Sequence, residues 1–173
     1  MKEYHKIETL LDRDEKFKVV IGKWRLPEFE YLKDCQWEFT EKIDGTNIRV
    51  MWENSEIKFG GKTDNAQIPP FLLAKLISMF NVPQFVNSFP DAGDAPVCLY
   101  GEGYGAKIQK GGGNYIPNGC DFILFDVQVG EWWLQRDAVT DVANKMGIKV
   151  VPLVGYGTLE RAIAWAQMGI KSD

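Results

Sequence analysis

The stretch EFTEKIDGTNIRVMW, from Glu38 to Trp52, decides how this chain is read. Ile48, Val50 and Trp52 recur at every second position, which is the period of a strand with one buried face. Between Phe39 and Ile48 the pattern breaks at KIDG, residues 42–45. Lys42 is a weak nucleophile while protonated, and a lysine amine in water ordinarily titrates at about 10.4. Burial or a nearby positive charge would lower that value and activate it. Asp44 could orient the amine or a metal-bound water. Gly45 permits a positive φ or a close backbone approach by a ligand. On spacing alone the same four residues also describe a solvated turn of the common Asp-Gly type.

The rest of the sequence narrows the choice. A length of 173 residues predicts one domain, 1–173, and an apolar content of 45% is enough to fill a core. The net charge of −4 argues against a polybasic partner-binding tail, yet a local basic groove would still bind phosphates. Cys35, Cys98 and Cys120 are far apart and His5 is the only histidine, which argues against zinc and against a disulfide framework. The charged N-terminus lacks the apolar segment of a signal peptide, and no apolar run is long enough to span a membrane. A reduced, cytoplasmic protein is the expectation.

Periodicity and punctuation predict mixed elements. Strands are expected at 16–22, 36–41, 46–52, 56–60, 97–103 and over IKVVPLV, residues 148–154, with a hairpin at 121–135 turning near Gly130. Helices are expected at 69–80, at 136–147 with Gly147 as its stop, and at 158–169 with Thr158 as N-cap. Residues 81–96 read as loop with at most one helical turn. The paired Trp132 and Trp133 are expected to cap the core. The sum is an α+β fold of antiparallel sheets with covering helices.

Three further stretches carry chemistry. In LYGEGYGAKIQKGGGNY, 99–115, the glycines do not open a helix, which rejects a dinucleotide-binding loop. What remains is Glu102 at a strand end, then Lys107, Gln109 and Lys110. A carboxylate for ribose or magnesium followed by cations for phosphate suits nucleotide chemistry, although a mobile glycine loop with solvated lysines has the same composition. In FILFDV, 122–127, Asp126 stands among apolar residues and needs a partner. Phe125 alternates with Ile123 and Val127, so it is expected to face away from Asp126, and such a ring could line a nucleobase slot. In FGGKTDNAQIPP, 59–70, Lys62 sits on a glycine-rich turn that also reads as merely solvated.

Together, EKIDGTNIRV, GGKTDNAQIP, LYGEGYG with IQKGGGNY, and FILFDV resemble the ordered motifs of the covalent nucleotidyltransferases. That superfamily includes ATP-dependent polynucleotide ligases and capping guanylyltransferases. The nearest resemblance is to ATP-dependent RNA ligases of the nick-sealing (RNA ligase 2) type, and KIETLLDRDEKFKV and WRLPEFEYL extend it to the N-terminus. The resemblance implies the ATP-grasp-like adenylation domain of such ligases. It makes Lys42 the nucleophile that takes AMP from ATP with Mg2+. It puts Glu41 beside adenine, and Ile43, Asp44, Gly45 and Asn47 near ribose, phosphate or the RNA end. Glu102 would bind the ribose region and the metal, and Phe125 would stack on adenine with Asp126 beside it. Lys62 stands where many relatives have arginine, so phosphate is gripped there by a point charge instead of a fork. Lys107 and Lys110 would contact RNA or phosphate.

One departure follows. The family carries two more motifs, a Glu-Gly-x-Val strand and a Lys-x-Lys strand, after the helix that TLERAIAWAQMG resembles. The chain stops at Asp173 before either, so an adenylation domain truncated at its C-terminus is expected. The implied function is sealing of RNA ends or nicked duplexes through a lysyl-AMP. Alternatives are a non-catalytic nucleotide- or RNA-binding module, a DNA ligase, or a capping guanylyltransferase.

Overall fold

A computed structural model describes residues 2–169. In chain order the elements are β1 (Leu11–Arg13), β2 (Val19–Trp24), α1 (Pro27–Tyr31), β3 (Trp37–Thr40), β4 (Thr46–Glu53), β5 (Glu56–Gly60), α2 (Pro70–Met79) and α3 (Val82–Ser88). Then come β6 (Val97–Gly105), a 3-10 turn (Gly112–Asn114), β7 (Cys120–Val129), β8 (Trp132–Trp133), α4 (Arg136–Met146), β9 (Lys149–Val150), β10 (Leu153–Gly157) and α5 (Leu159–Met168). The chain divides into two compact units: Met1–Tyr4 with Lys42–Val151, and His5–Glu41 with Pro152–Asp173.

The first unit is built on a six-stranded sheet in the order β5-β4-β6-β7-β8, with β9 running parallel beside β7. β4 and β5 are joined by Asn54 and Ser55, both at positive φ (51° and 62°), the conformation whose twist matches a two-residue hairpin. One face of the sheet presents Ile48, Val50, Val97, Leu99, Phe122, Leu124 and Val127, all fully buried. Against it pack Leu72 and Leu76 of α2, Phe85 of α3, and Val139, Val142, Ala143 and Met146 of α4. Each fully buried aliphatic or aromatic side chain here is worth about 1.5–3 kcal/mol. Gly101 and Gly103 belong to this face. A Cβ on Gly101 would lie 2.2 Å from the Phe122 ring, and one on Gly103 2.5 Å from Leu72. Gly101 and Gly103 of GEGYG therefore admit core side chains, not a phosphate. α4 ends at Gly147 in the left-handed region (φ 67°), as its sequence predicts.

The second unit holds the β1–β2 hairpin and an antiparallel pair of β3 with β10. α5 starts at Thr158, whose hydroxyl accepts from the Arg161 N–H at 3.3 Å. Trp165 of α5 meets Phe39 of β3 nearly edge-on, with centroids 5.8 Å apart.

β3 pairs with β10, and the chain passes from one unit to the other between Glu41 and Lys42. Antiparallel sheets with covering helices are what the sequence predicts, with three corrections. IKVVPLV is two strands, because Pro152 has no N–H to donate and breaks the ladder: β9 joins β7, and β10 joins β3. Residues 82–88 form the helix α3, started by a capping box between Asn81 and Gln84. The Trp pair does not cap the core: β8 is a two-residue edge strand on which Trp132 is 80% and Trp133 37% exposed. The expected C-terminal boundary at Asp173 lies outside the described residues.

Candidate active site

The sheet face opposite the helices carries the motif residues. On β4 it presents Asn47 and Arg49, and on β6 it presents Tyr100, Glu102 and Tyr104. Asn47 stands directly opposite Glu102, and Arg49 opposite Tyr100. Side chains paired in this way lie about 5 Å apart at Cβ.

KIDG docks onto this face through its backbone. Gly45 lies against Glu102: a Cβ placed on it would fall 2.9 Å from the Glu102 Cγ. Gly45 is not at a positive φ; what requires glycine is proximity, since a Cβ would lie 2.3 Å from the Gly103 carbonyl oxygen. The approach is thus to β6 itself, not only to a ligand. Gln109, from the loop after β6, donates Nε2 to the Gly45 carbonyl at 2.9 Å. That loop is folded back over KIDG, and a Cβ on Gly111 would lie 3.9 Å from Asp44 Oδ2.

Glu102 is the electrostatic centre. Burial pushes its carboxyl from the ordinary 4.5 up to about 7; Lys42 and the Gly45 backbone pull down, and Asp44 pushes up. Lys42 and Asp44 are exposed, while Ile43 between them is 6% exposed and packs with Tyr104, Ile123 and Val151. The Ile43 side chain is thus committed to packing, and only its backbone faces the site. Lys42 is not activated by burial, and the charge acting with it on Glu102 is that of Asp44, from KIDG itself. Asn47 adds a buried Oδ1 without a hydrogen-bond partner beside this carboxylate.

Phe125 packs against the same small cluster as Ile43. Its orientation differs from expectation. Tyr100 pairs with Asp126, but the next residue, Gly101, pairs with Leu124. Phe125 is therefore the extra residue of a β-bulge, which breaks the alternation of β7. Val127 points into the helix-covered core, and Phe125 and Asp126 face the same side. Both meet Tyr4. The Tyr4 hydroxyl donates to Asp126 Oδ2, and the two rings are 4.9 Å apart at 67°. The partner that Asp126 needs comes from the N-terminus.

Lys62 is exposed on the turn after β5. That turn is held by Arg49, which is fully buried and donates to the Gly61 carbonyl at 2.7 Å and to Asp64 Oδ1 at 2.9 Å. Lys107 (φ 70°) and Lys110 are exposed on the loop that covers KIDG. Glu41 belongs to the other unit, where its N–H donates to the Pro152 carbonyl at 3.0 Å. Sequence reasoning missed Tyr4 and Arg49, and named Gln109 without its contact to Gly45. Arg49 left one signal, a charge inside the alternating run of β4.

Among the described residues no three His, Cys, Asp or Glu side chains form a metal cage. Glu102, Asp44 and the unpartnered Asn47 Oδ1 offer hard oxygens, which fits Mg2+ as a metal held jointly with phosphate.

The RNA ligase family model matches residues 36–172, and the chain belongs to the RNA ligase family. Its fold is similar to that of a Naegleria gruberi RNA ligase variant solved with ATP and Mn: TM-score 0.61, 21% identity, 80% of this chain and 42% of that one. It is also similar to an archaeal ATP-dependent RNA ligase: TM-score 0.66, 19% identity, 95% of this chain and 40% of that one. The chain therefore spans about two fifths of the length of these two structures. None of the curated proteins matches it.

Proposed function

We propose that this chain is the adenylation domain of an ATP-dependent RNA ligase, with Lys42 as its nucleophile. The observation that carries the reading is the close seating of Gly45 against Glu102 and Gly103 of β6, which brings the charges of Lys42 and Asp44 to bear on the Glu102 carboxylate. Family membership and ligase structures solved with ATP or AMP and Mn support it.

In this reading the Lys42 Nζ lone pair attacks the α-phosphorus of ATP. The bond to the bridging oxygen breaks, pyrophosphate leaves, and the amine proton passes to solvent. A 5′-phosphate oxygen of RNA then attacks the same phosphorus and the P–N bond breaks, returning Lys42. Finally a 3′-hydroxyl attacks the 5′-phosphorus and AMP leaves. Phe125 stacks on adenine with Asp126 beside it, and Glu41 approaches the base. Ile43, Asp44, Gly45 and Asn47 line the ribose and phosphate side. Lys62, Lys107 and Lys110 face phosphate or RNA. Glu102 holds ribose and, with Asp44 and Asn47, Mg2+, which would neutralise phosphate charge. RNA ends or nicked duplexes in the cytoplasm are the proposed substrates. Among the described residues no helix is long and apolar enough to cross a membrane.

The test is incubation with α-labelled ATP and magnesium. Label should appear on the protein, stable to base and labile to acid, and vanish in Lys42→Ala. Lys42→Arg should fail too, because guanidinium stays protonated. Label that persists in Lys42→Ala would sink the assignment. Equal labelling from GTP would point to capping chemistry, and equal transfer to DNA and RNA 5′-phosphates would remove the RNA preference.

A further inference from the structure

We infer that Tyr4 is a positioning residue for the nucleotide, one that fixes the bulged Phe125 ring and the Asp126 carboxylate together. This rests on the nucleotide-binding reading of that pair. The motivation is the bulge. Phe125 has no partner residue on β6, so the ladder does not set its orientation. Side-chain contacts must do so, and Tyr4 makes one to each half of the pair. Its ring lies 4.9 Å from Phe125, close to edge-on, and its hydroxyl donates to Asp126.

Tyr4 is itself held in place. Its ring centroid is 5.2 Å from Tyr100 and 5.7 Å from Trp133, the latter nearly perpendicular at 80°. Two residues earlier, the Lys2 carbonyl accepts from the Tyr100 hydroxyl at 3.1 Å. The segment ending at Tyr4 belongs to the same unit as the sheet, although the chain then leaves it from His5 to Glu41. Burial, and then the bond to Asp126, push the Tyr4 phenol up from its ordinary value, so it remains a protonated donor at neutral pH. An edge-on ring on one side of Phe125 limits how that ring can turn. A donor on Asp126 Oδ2 limits how that carboxylate can turn.

The test separates binding from chemistry. In a Lys42→Ala background, which cannot form the adduct, ATP affinity is measured by calorimetry for the full chain, for Tyr4→Phe and for Tyr4→Ala. Loss of the aromatic contact and the charge-assisted bond should weaken ATP binding about tenfold in Tyr4→Ala, with Tyr4→Phe between it and the parent. With Lys42 intact, half-saturating ATP should rise by the same factor while the maximal labelling rate stays within about twofold. Discrimination between ATP and GTP should fall as well. If Tyr4→Ala does not fold, Tyr4→Phe decides, because it keeps the ring and loses only the hydroxyl. Unchanged affinity in a folded variant overturns the inference. So does tighter binding, which would make Tyr4 a plug of the base slot. A parent chain that neither binds nor labels overturns the nucleotide-binding reading, and this inference with it.

Discussion

Gly45 lies so close to Glu102 that a Cβ on it would fall 2.9 Å from the Glu102 Cγ, so the segment that carries the proposed nucleophile is seated against the middle of the sheet. The contact leaves no room for a side chain on Gly45. Its consequences can be measured separately from the chemistry of Lys42.

Gly45→Ala should be costly. The new Cβ would meet the Gly103 carbonyl at 2.3 Å, and both groups are backbone, so neither yields by a rotamer change. Overpacking of this kind costs about 1–3 kcal/mol. Denaturant titration should show the loss, and α-label incorporation should fall with it. A variant as stable and as active as the parent would contradict the docked geometry.

The titration of Glu102 gives a second handle. Its pKa is raised from 4.5 to about 7, so between those values the folded chain holds a proton that the unfolded chain has released. This group's contribution to stability is therefore fully present below about pH 4.5 and is lost as pH rises through about 7. Glu102→Gln should remove that loss, and its stability advantage should grow across the same window. Lys42→Ala should raise the Glu102 midpoint and Asp44→Asn should lower it, read by NMR titration of the carboxyl carbon. A midpoint that ignores both substitutions would separate KIDG from Glu102.

Arg49 holds the turn of Lys62. Arg49→Ala leaves the Gly61 carbonyl without its charged donor and opens space beneath the sheet. Removing one member of a buried charged arrangement costs about 3–5 kcal/mol, and the exposure of Asp64 puts the expectation at the lower end. Asp64→Ala should cost less, about 1–3 kcal/mol, because it strips one acceptor from the buried guanidinium and leaves the Gly61 carbonyl bond. Thermal melts of the two variants decide; equal losses would mean that the ion pair, not the carbonyl bond, carries the interaction.

Gln109→Ala tests the loop. Its amide closes on the Gly45 carbonyl from an exposed position, so stability should change by less than about 1 kcal/mol. Label incorporation should fall several-fold, because the loop carrying Lys107 and Lys110 would no longer be held over KIDG. A loss of stability with unchanged labelling would reverse this assignment.

Much of the fold was legible because its signals are local. Ile48, Val50 and Trp52 state the pleat of β4, and Leu72 and Leu76 state the buried stripe of α2. Gly147 and Thr158 mark helix ends through their own backbone and hydroxyl chemistry. The helix α3 was also written locally, in Asn81 and Gln84, but Pro83 and the Pro90, Asp91, Gly93 and Asp94 that follow the helix mask the cap. In the site, Lys42, Asp44 and Glu102 were legible as residues through the ordered motifs, and the company they keep was not.

The sequence by itself determined which segments alternate, where helices stop and which residues could carry nucleotidyl chemistry, because each depends on a few neighbouring side chains. Tertiary structure alone decided that Phe125 and Asp126 face one side, since a bulge is a mismatch in length between β7 and its partner β6. It also decided that Arg49 is buried and held by a carbonyl, that Tyr4 returns to Asp126, and that Pro152 divides one apolar run between two units. Each of these is set by residues far away in the chain. Pairing partners, unlike pleats and caps, leave no periodic mark in the strand that receives them.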